Sequence, residues 1–338
     1  MPDTGLSLLG IETSCDETAA AVVTGGKRIL SNIIRTQIDI HAEYGGVVPE
    51  IASREHIRSL LPVIEAALEE AGIEAGNLAA VAVTQTPGLI GSLLVGLAAA
   101  KGAALALGIP LVAVDHLEAH IYAARLARPE LDYPYLCLLA SGGHTSLVWT
   151  ESPLRYRTIG ETVDDAAGEA FDKVASLLEL GLPGGPAVER RARQGDPKRS
   201  PFPRPKVKAG DHRFSFSGLK TAVLYRVRGQ DGRGEITLTE DEISDVCAGF
   251  QAAVVDSLVD HTTRAATELG ARRVAIGGGV AANGPLREAL SAAGSRNGFD
   301  LFAPPLSLCT DNAAMIAALG YHKLQAGEIA PLDVDAIP

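Results

Sequence analysis

Short apolar runs separated by small polar turns organise the chain. Residues 7–13 and 19–24 are two such runs, joined by Ser14-Cys15-Asp16-Glu17-Thr18, and they predict a strand-turn-strand with carboxylates at its tip. His41-Ala42-Glu43-Tyr44-Gly45-Gly46 reads as a loop, and Pro49 then opens a long amphipathic helix to residue 71, bent at Pro62. Residues 78–84 read as a buried strand, which Gln85-Thr86-Pro87-Gly88 turns into a helix of small residues. The run 109–114 is a further buried strand. Asp115, with Glu118 three residues on, has the spacing of a capping box, so His116 and His120 open the next helix.

The polar, proline-bracketed stretch 128–134 predicts a break, after which the opening pattern returns: 135–140 apolar, Ser141-Gly142-Gly143-His144 a turn, 145–149 a second strand. Residues 164–180 predict a helix with acids in its first turn, where they complement the dipole. Leu182-Pro183-Gly184-Gly185-Pro186 is a tight turn into another helix. Further on, 239–270 reads as a long helix and 272–276 as a short strand. A glycine-rich connection over 277–285 leads into a helix, and Thr310 or Asp311 opens the last one. The recurring hairpin predicts two related α/β lobes around a cleft. The N-terminal lobe spans 1–132, the C-terminal lobe 133–309, and 310–338 returns to the first.

Composition narrows the class. A chain of 338 residues exceeds one simple core, and 46% hydrophobic content with only 4% aromatic and 36 glycines suits helices packed closely on sheets. Cys15, Cys137, Cys247 and Cys309 lie far apart with no CxxC, which fits a reducing compartment and argues against a zinc ribbon or a disulfide framework. No basic-then-apolar leader precedes Ser7, and the apolar stretch 89–114 is broken by Lys101, Gly102, Gly108 and Pro110. A cytoplasmic protein without a membrane partner is expected. The net charge of -11 repels nucleic acid as a whole, but 190–233 differs: thirteen of the thirty Lys and Arg residues stand there against three acids, a local +10. Phe202, Phe214, Phe216 and Tyr225 are interleaved, the footprint of a surface for looped RNA or another polyanion, or else of a solvated basic loop.

His116 and His120, at i and i+4, share a helix face with Cβ atoms roughly 6 Å apart, so two imidazoles can converge on one ion. The positive helix end favours neutral rings there. Two ordinary first-turn histidines would show the same spacing. Asp311 is the natural third ligand, and two histidines with one carboxylate suit Fe2+ or Zn2+ with positions open to substrate; a plain helix cap is the alternative. Gly142 and Gly143 let backbone N–H groups approach an anion. The 277–285 corner suits a nucleotide, although it matches neither GxGxxG nor a Walker loop. Asp172, inside an apolar run, is either an ion-pair partner or a functional carboxylate.

Eight segments in this order resemble the bacterial TsaD family over nearly the whole chain. They are Gly10 to Thr18, His41 to Glu50, Asp115 to His120, Ser141 to Thr145, Asp164 to Lys173, Phe214 to Thr221, Gly277 to Asn283 and Thr310 to Met315. The resemblance implies an α/β fold of the actin/Hsp70/sugar-kinase (ASKHA) type, two lobes each with a ribonuclease-H-like mixed sheet and flanking helices. It also implies the activity of a tRNA N6-adenosine threonylcarbamoyltransferase. Such an enzyme moves the threonylcarbamoyl group from threonylcarbamoyl-adenylate to N6 of the adenosine 3′ of the anticodon in ANN-decoding tRNAs, releasing AMP. Carried over by position, the metal ligands are His116, His120 and Asp311. The substrate contacts are Leu139, Ala140, Ser141, Gly142, Gly143, Asp172, Gly185 and Asn283, with Glu189 standing where the family usually has aspartate. Asp16 is the candidate general base. Implied with these are one divalent metal (Fe2+ or Zn2+), a nucleotide (AMP or ATP) in the cleft, tRNA, a TsaB-like paralogous subunit and a TsaE-like ATPase. A carbamoyltransferase acting on a small molecule or protein thiol is the rival chemistry. A metalloprotease is the weaker one, because HExxH requires glutamate where Leu117 stands.

Overall fold

The computed structural model describes residues 5–204 and 210–338, so Lys206 and Lys208 of the basic segment lie outside the described residues. The chain forms two compact units, Met1–Leu131 with Pro304–Pro338, and Asp132–Ala303. The first unit runs β1 (Ser7–Glu12), β2 (Glu17–Thr24), β3 (Arg28–Thr36), α1 (Ile38–Ala42), α2 (Pro49–Ala71), β4 (Ala80–Thr86), α3 (Ile90–Leu107), β5 (Leu111–Asp115) and α4 (His116–Ala127). Its sheet has the order β3-β2-β1-β4-β5, with β1, β2 and β3 antiparallel and β4 and β5 parallel to β1. The apolar runs of β1, β2 and β4 are buried over most of their length, as strands covered on both faces must be. Leu9, Ile11, Ala20, Val22, Val81 and Val83 form one core with Leu60, Val63 and Ala67 of α2 and Leu97, Ala100 and Ala104 of α3.

The small-residue helix α3 buries only one face; Ile90, Leu94 and Leu105 are exposed. Among the described residues it is the one helix long and apolar enough to cross a membrane by length and composition. Its small residues serve close packing. A Cβ on Gly96 would stand 2.3 Å from Thr13 Oγ1, and that hydroxyl donates to Ser92 O at 2.9 Å, so α3 is pressed onto the turn after β1.

The second unit runs β6 (Tyr135–Ala140), β7 (Thr145–Ser152), β8 (Arg155–Glu161), α5 (Ala167–Leu177), α6 (Gly184–Ala192), α7 (Ser217–Arg228), α8 (Glu240–Leu269), β9 (Arg273–Gly277), α9 (Gly284–Asn297) and β10 (Asp300–Phe302). Its sheet order, β10-β9-β6-β7-β8, with an antiparallel β6-β7-β8 meander and parallel β9 and β10, repeats the first sheet strand for strand. Helix α5 starts at Ala167, later than expected, because Asp164 has another task. It accepts hydrogen bonds from Ser215 Oγ (2.6 Å), Ser217 Oγ (2.7 Å), and the N–H groups of Phe216 and Ser217, tying the stretch before α7 to the loop after β8.

Helix α10 (Ala313–Gln325) belongs to the first unit and packs on β1, β2, β4, β5 and α4. Two glycines permit the approach: a Cβ on Gly10 would lie 2.3 Å from Ala313 O, and one on Gly320 2.5 Å from Ala82 Cβ. The helix is capped by Asn312, whose Oδ1 accepts from Met315 N–H at 3.0 Å. The expected opener, Thr310 or Asp311, is therefore displaced, and the Asp311 carboxylate is not the cap.

Candidate metal centre and glycine-lined corner

Asp115 ends β5 and caps α4, its Oδ1 accepting from Leu117 N–H at 2.7 Å and Glu118 N–H at 3.1 Å. That cap sets His116 in the first turn and His120 one turn later, both buried, with rings at right angles and centroids 4.5 Å apart. Asp311, from the loop before α10, brings Oδ1 to 3.3 Å from His116 Nε2 and 3.1 Å from His120 Nε2. One ligand atom from each of these three residues lies within 4.8 Å of the others, and Asp311 is the partly exposed member of the group. Two imidazole nitrogens and a carboxylate oxygen converging this closely fit a divalent ion of the Fe2+ or Zn2+ kind.

Burial alone would raise the Asp311 pKa, but His116 and His120 hold it far below the carboxylate range. Burial likewise opposes charge on His116, yet Asp311 and Glu12 outweigh it and raise that pKa well above the ordinary value. His120 moves the other way, lowered by burial and by its neighbour His116. At His116 two carboxylates outweigh the partial charge of a helix end.

Glu12, not singled out as part of this group from sequence, stands directly behind it: Oε2 lies 2.9 Å from His116 Nδ1. The turn that follows is firmly held. Leu89 N–H donates to Ser14 O at 2.8 Å, and His56 Nε2 donates to Cys15 O at 2.9 Å while its Nδ1 lies 2.8 Å from Thr18 Oγ1. Asp16 sits on this turn, partly exposed, outside the three-residue group.

In the second unit, Leu139 and Ala140 are buried in β6, and the Ser141–His144 turn is closed by Ser141 N–H to His144 O at 2.8 Å. Two glycines press on that turn. Gly168 N–H donates to Ser141 O at 3.1 Å, and Gly278, at φ +84, would bring a Cβ to 2.4 Å from Ala140 O. Around Gly142, Gly143 and Gly185, in contrast, a Cβ would meet nothing within 4 Å, so space lies open there. Asp172 Oδ1 accepts from Gly184 N–H at 2.7 Å, fixing the start of α6. Asn283 caps α9 through Oδ1, and its Nδ2 donates to Gln251 Oε1 at 2.9 Å and Glu189 Oε2 at 3.2 Å. Glu189 and Asn283 are thereby brought together, with Gln251 as a third member that no motif had marked.

The basic segment reads differently in three dimensions. Phe202, Phe214 and Phe216 are buried, Phe214 stacking on His261 with centroids 4.6 Å apart, and only Tyr225 of the four aromatics is exposed. Several cations are paired within the unit: Arg191 with Glu240, Arg193 with Glu189, Arg199 with Asp245, Arg204 with Asp256, Arg213 with Asp211 and Lys220 with Asp165. Five of these acids, Asp165, Glu189, Glu240, Asp245 and Asp256, lie outside 190–233 and offset part of the charge that a local count assigns to it.

Residues 28–318 match the family described as TsaD, tRNA N6-adenosine threonylcarbamoyltransferase. A protein of that name from Symbiobacterium thermophilum is 53% identical over 331 residues, covering 98% of this chain and 95% of the relative. Another, from Anaeromyxobacter dehalogenans, is 53% identical over 332 residues, covering 98% of each. Among solved structures, full-length HypF in its phosphate- and nucleotide-bound form has TM-score 0.62 at 17% identity, covering 96% of this chain and 47% of that one. The ROK hexokinase of Thermus thermophilus has TM-score 0.50 at 16% identity, covering 96% and 100%. At these identities the likeness concerns the fold, which is of the actin/Hsp70/sugar-kinase type.

Proposed function

The chain belongs to the TsaD family of tRNA N6-adenosine threonylcarbamoyltransferases, and on that premise we propose that it moves threonylcarbamoyl from threonylcarbamoyl-adenylate to N6 of the adenosine 3′ of the anticodon in ANN-decoding tRNAs, releasing AMP. The observation that carries this reading onto the chain's own residues is the convergence of His116, His120 and Asp311. A divalent ion held there, Fe2+ or Zn2+, would supply Lewis-acid polarisation of an activated oxygen.

The donor is a mixed anhydride, already activated, and the acceptor amine is a weak nucleophile whose lone pair is delocalised into the adenine ring. Positioning therefore dominates. Gly142 and Gly143, beside open space, are suited to present N–H groups to an oxyanion or phosphate. Asn283, with Glu189 and Gln251, offers a polar set for the nucleoside part. In this reading Leu139, Ala140 and Ser141 line the same turn, Asp172 and Gly185 contact substrate at the start of α6, and Asp16 takes the N6 proton. As the C–N bond forms and the C–O bond to phosphate breaks, that proton leaves the amine. The exposed cations of 190–233 contact the anticodon arm.

A TsaB-like subunit and a TsaE-like ATPase are the expected partners, in the cytoplasm. A helical partner is suited by the apolar side chains Ile57 and Leu61 of α2 and Ile90 and Leu94 of α3, exposed on helices that pack with Gly91 against Ser53. The deciding experiment is nucleoside mass spectrometry of tRNA from cells depleted of their own transferase and complemented with this chain or with His116→Ala, cognate partners supplied. Threonylcarbamoyladenosine restored by the wild type alone is expected. Restoration by neither overturns the activity, and restoration by both removes the metal centre from it.

A further inference from the structure

Glu12 is fully buried at the end of β1, and three hydrogen bonds account for its carboxylate. Ser14 N–H donates to Oε1 at 2.5 Å; Thr84 Oγ1 donates to Oε2 at 2.6 Å; His116 Nδ1 lies 2.9 Å from Oε2. Fold stability alone does not call for a charge at this place, since an apolar side chain of similar volume commonly serves a core as well or better. What the charge does is divide the two nitrogens of His116. Nδ1 faces Glu12, and Nε2 is left facing Asp311 Oδ1 at 3.3 Å, beside His120 Nε2. Ser14 Oγ, at 3.3 Å from Nδ1, is the more distant neighbour on that side.

We propose that Glu12 is the positioning residue of the metal centre: it holds His116 as the Nδ1–H tautomer with the ring plane fixed, so that the Nε2 lone pair points at the place shared with His120 and Asp311. Glu12 is not itself a ligand, because its carboxylate lies on the far edge of the imidazole. It is held in turn by a backbone N–H of the β1–β2 turn and by a hydroxyl of β4, two rigid elements of one sheet, so the orientation of His116 is inherited from the sheet rather than from α4 alone. The inference rests on the metal-centre reading given above.

The test uses the purified full-length chain with Zn2+ affinity measured by chelator competition, the absorption spectrum of the Co2+ form, and thermal unfolding without added metal. Glu12→Ala is expected to weaken Zn2+ binding by about 10- to 100-fold and to shift the Co2+ bands. Glu12→Gln, which keeps an oxygen for Nδ1–H but not the charge, falls between and guards against simple misfolding of the alanine variant. In a His116→Ala background Glu12→Ala adds no further loss, because its effect passes through that ring. Wild-type affinity in both Glu12 variants overturns the proposal, and so does an undiminished extra loss in the double variant, which would make the role one of general structure. If His116→Ala itself binds Zn2+ as tightly as the wild type, the metal-centre reading fails instead.

Discussion

Glu17 is the second acidic side chain that the β1–β2 hairpin carries toward the interior. It lies two residues before Ala19, which pairs with Glu12, and therefore on the same face of the sheet. Burial pushes its pKa up from 4.5 to about 7, against a hydrogen bond from Thr36 and with Asp16 adding to the rise. Because the folded value exceeds the unfolded one, the folded state holds the proton more tightly between these limits. Stability from this site is present below about pH 4.5 and is lost as pH rises toward 7. Glu17→Gln should therefore raise the unfolding temperature at pH 8 and leave it unchanged at pH 4. An equal difference at both pH values would refute the assignment. Glu12, equally acidic and more deeply buried, goes the other way, since burial is outweighed by His116 and its pKa is lowered.

At the scale of elements, the loop before α10 separates two tasks between adjacent residues: Asn312 caps the helix and Asp311 faces the histidines. Asn312→Ala should cost about 1 kcal/mol in urea unfolding and also weaken metal binding, because the carboxylate next door loses its anchored backbone. Gly10→Ala, which places a methyl against Ala313 O, should destabilise by about 1–3 kcal/mol, the usual range for overpacking. Elements with uninterrupted apolar runs, β1, β2, β4 to β7 and β9, were legible in the sequence because burial on both faces leaves a plain signature. The half-exposed strands β3 and β8, with Arg28, Arg35, Arg155 and Arg157, carry no such run, and β10 is only three residues long. The convergence of His116, His120 and Asp311 was legible from residue type and spacing. Glu12 and Gln251 were not, because a carboxylate closing a strand and an amide inside a long helix look ordinary until another element is folded against them. The buried phenylalanines show the same limit: their neighbours in sequence are cations, and their neighbours in space are His261 and the core.

For the whole molecule, charge is distributed less sharply than its order along the chain suggests. Paired cations release few counterions on binding RNA, so the dependence of log affinity on log salt should be shallower than thirteen phosphate contacts would give. Arg226→Ala, at an exposed position beside exposed Tyr225, should reduce that slope by about 1, whereas Arg204→Ala, paired with Asp256 at 2.7 Å, should change it little. Filter-binding titrations across a salt series distinguish the two. The division of the chain into Met1–Leu131 with Pro304–Pro338 has a consequence for biosynthesis. A ribosome delivers the first sheet well before helix α10, with the entire second unit emerging in between. Until residue 313 and those beyond are free of the ribosome, the side of the first sheet that α10 covers waits open and His116 and His120 lack Asp311. A product terminated before α10 would therefore lack that cover and be open to proteolysis, and the three side chains of the candidate metal centre would never meet.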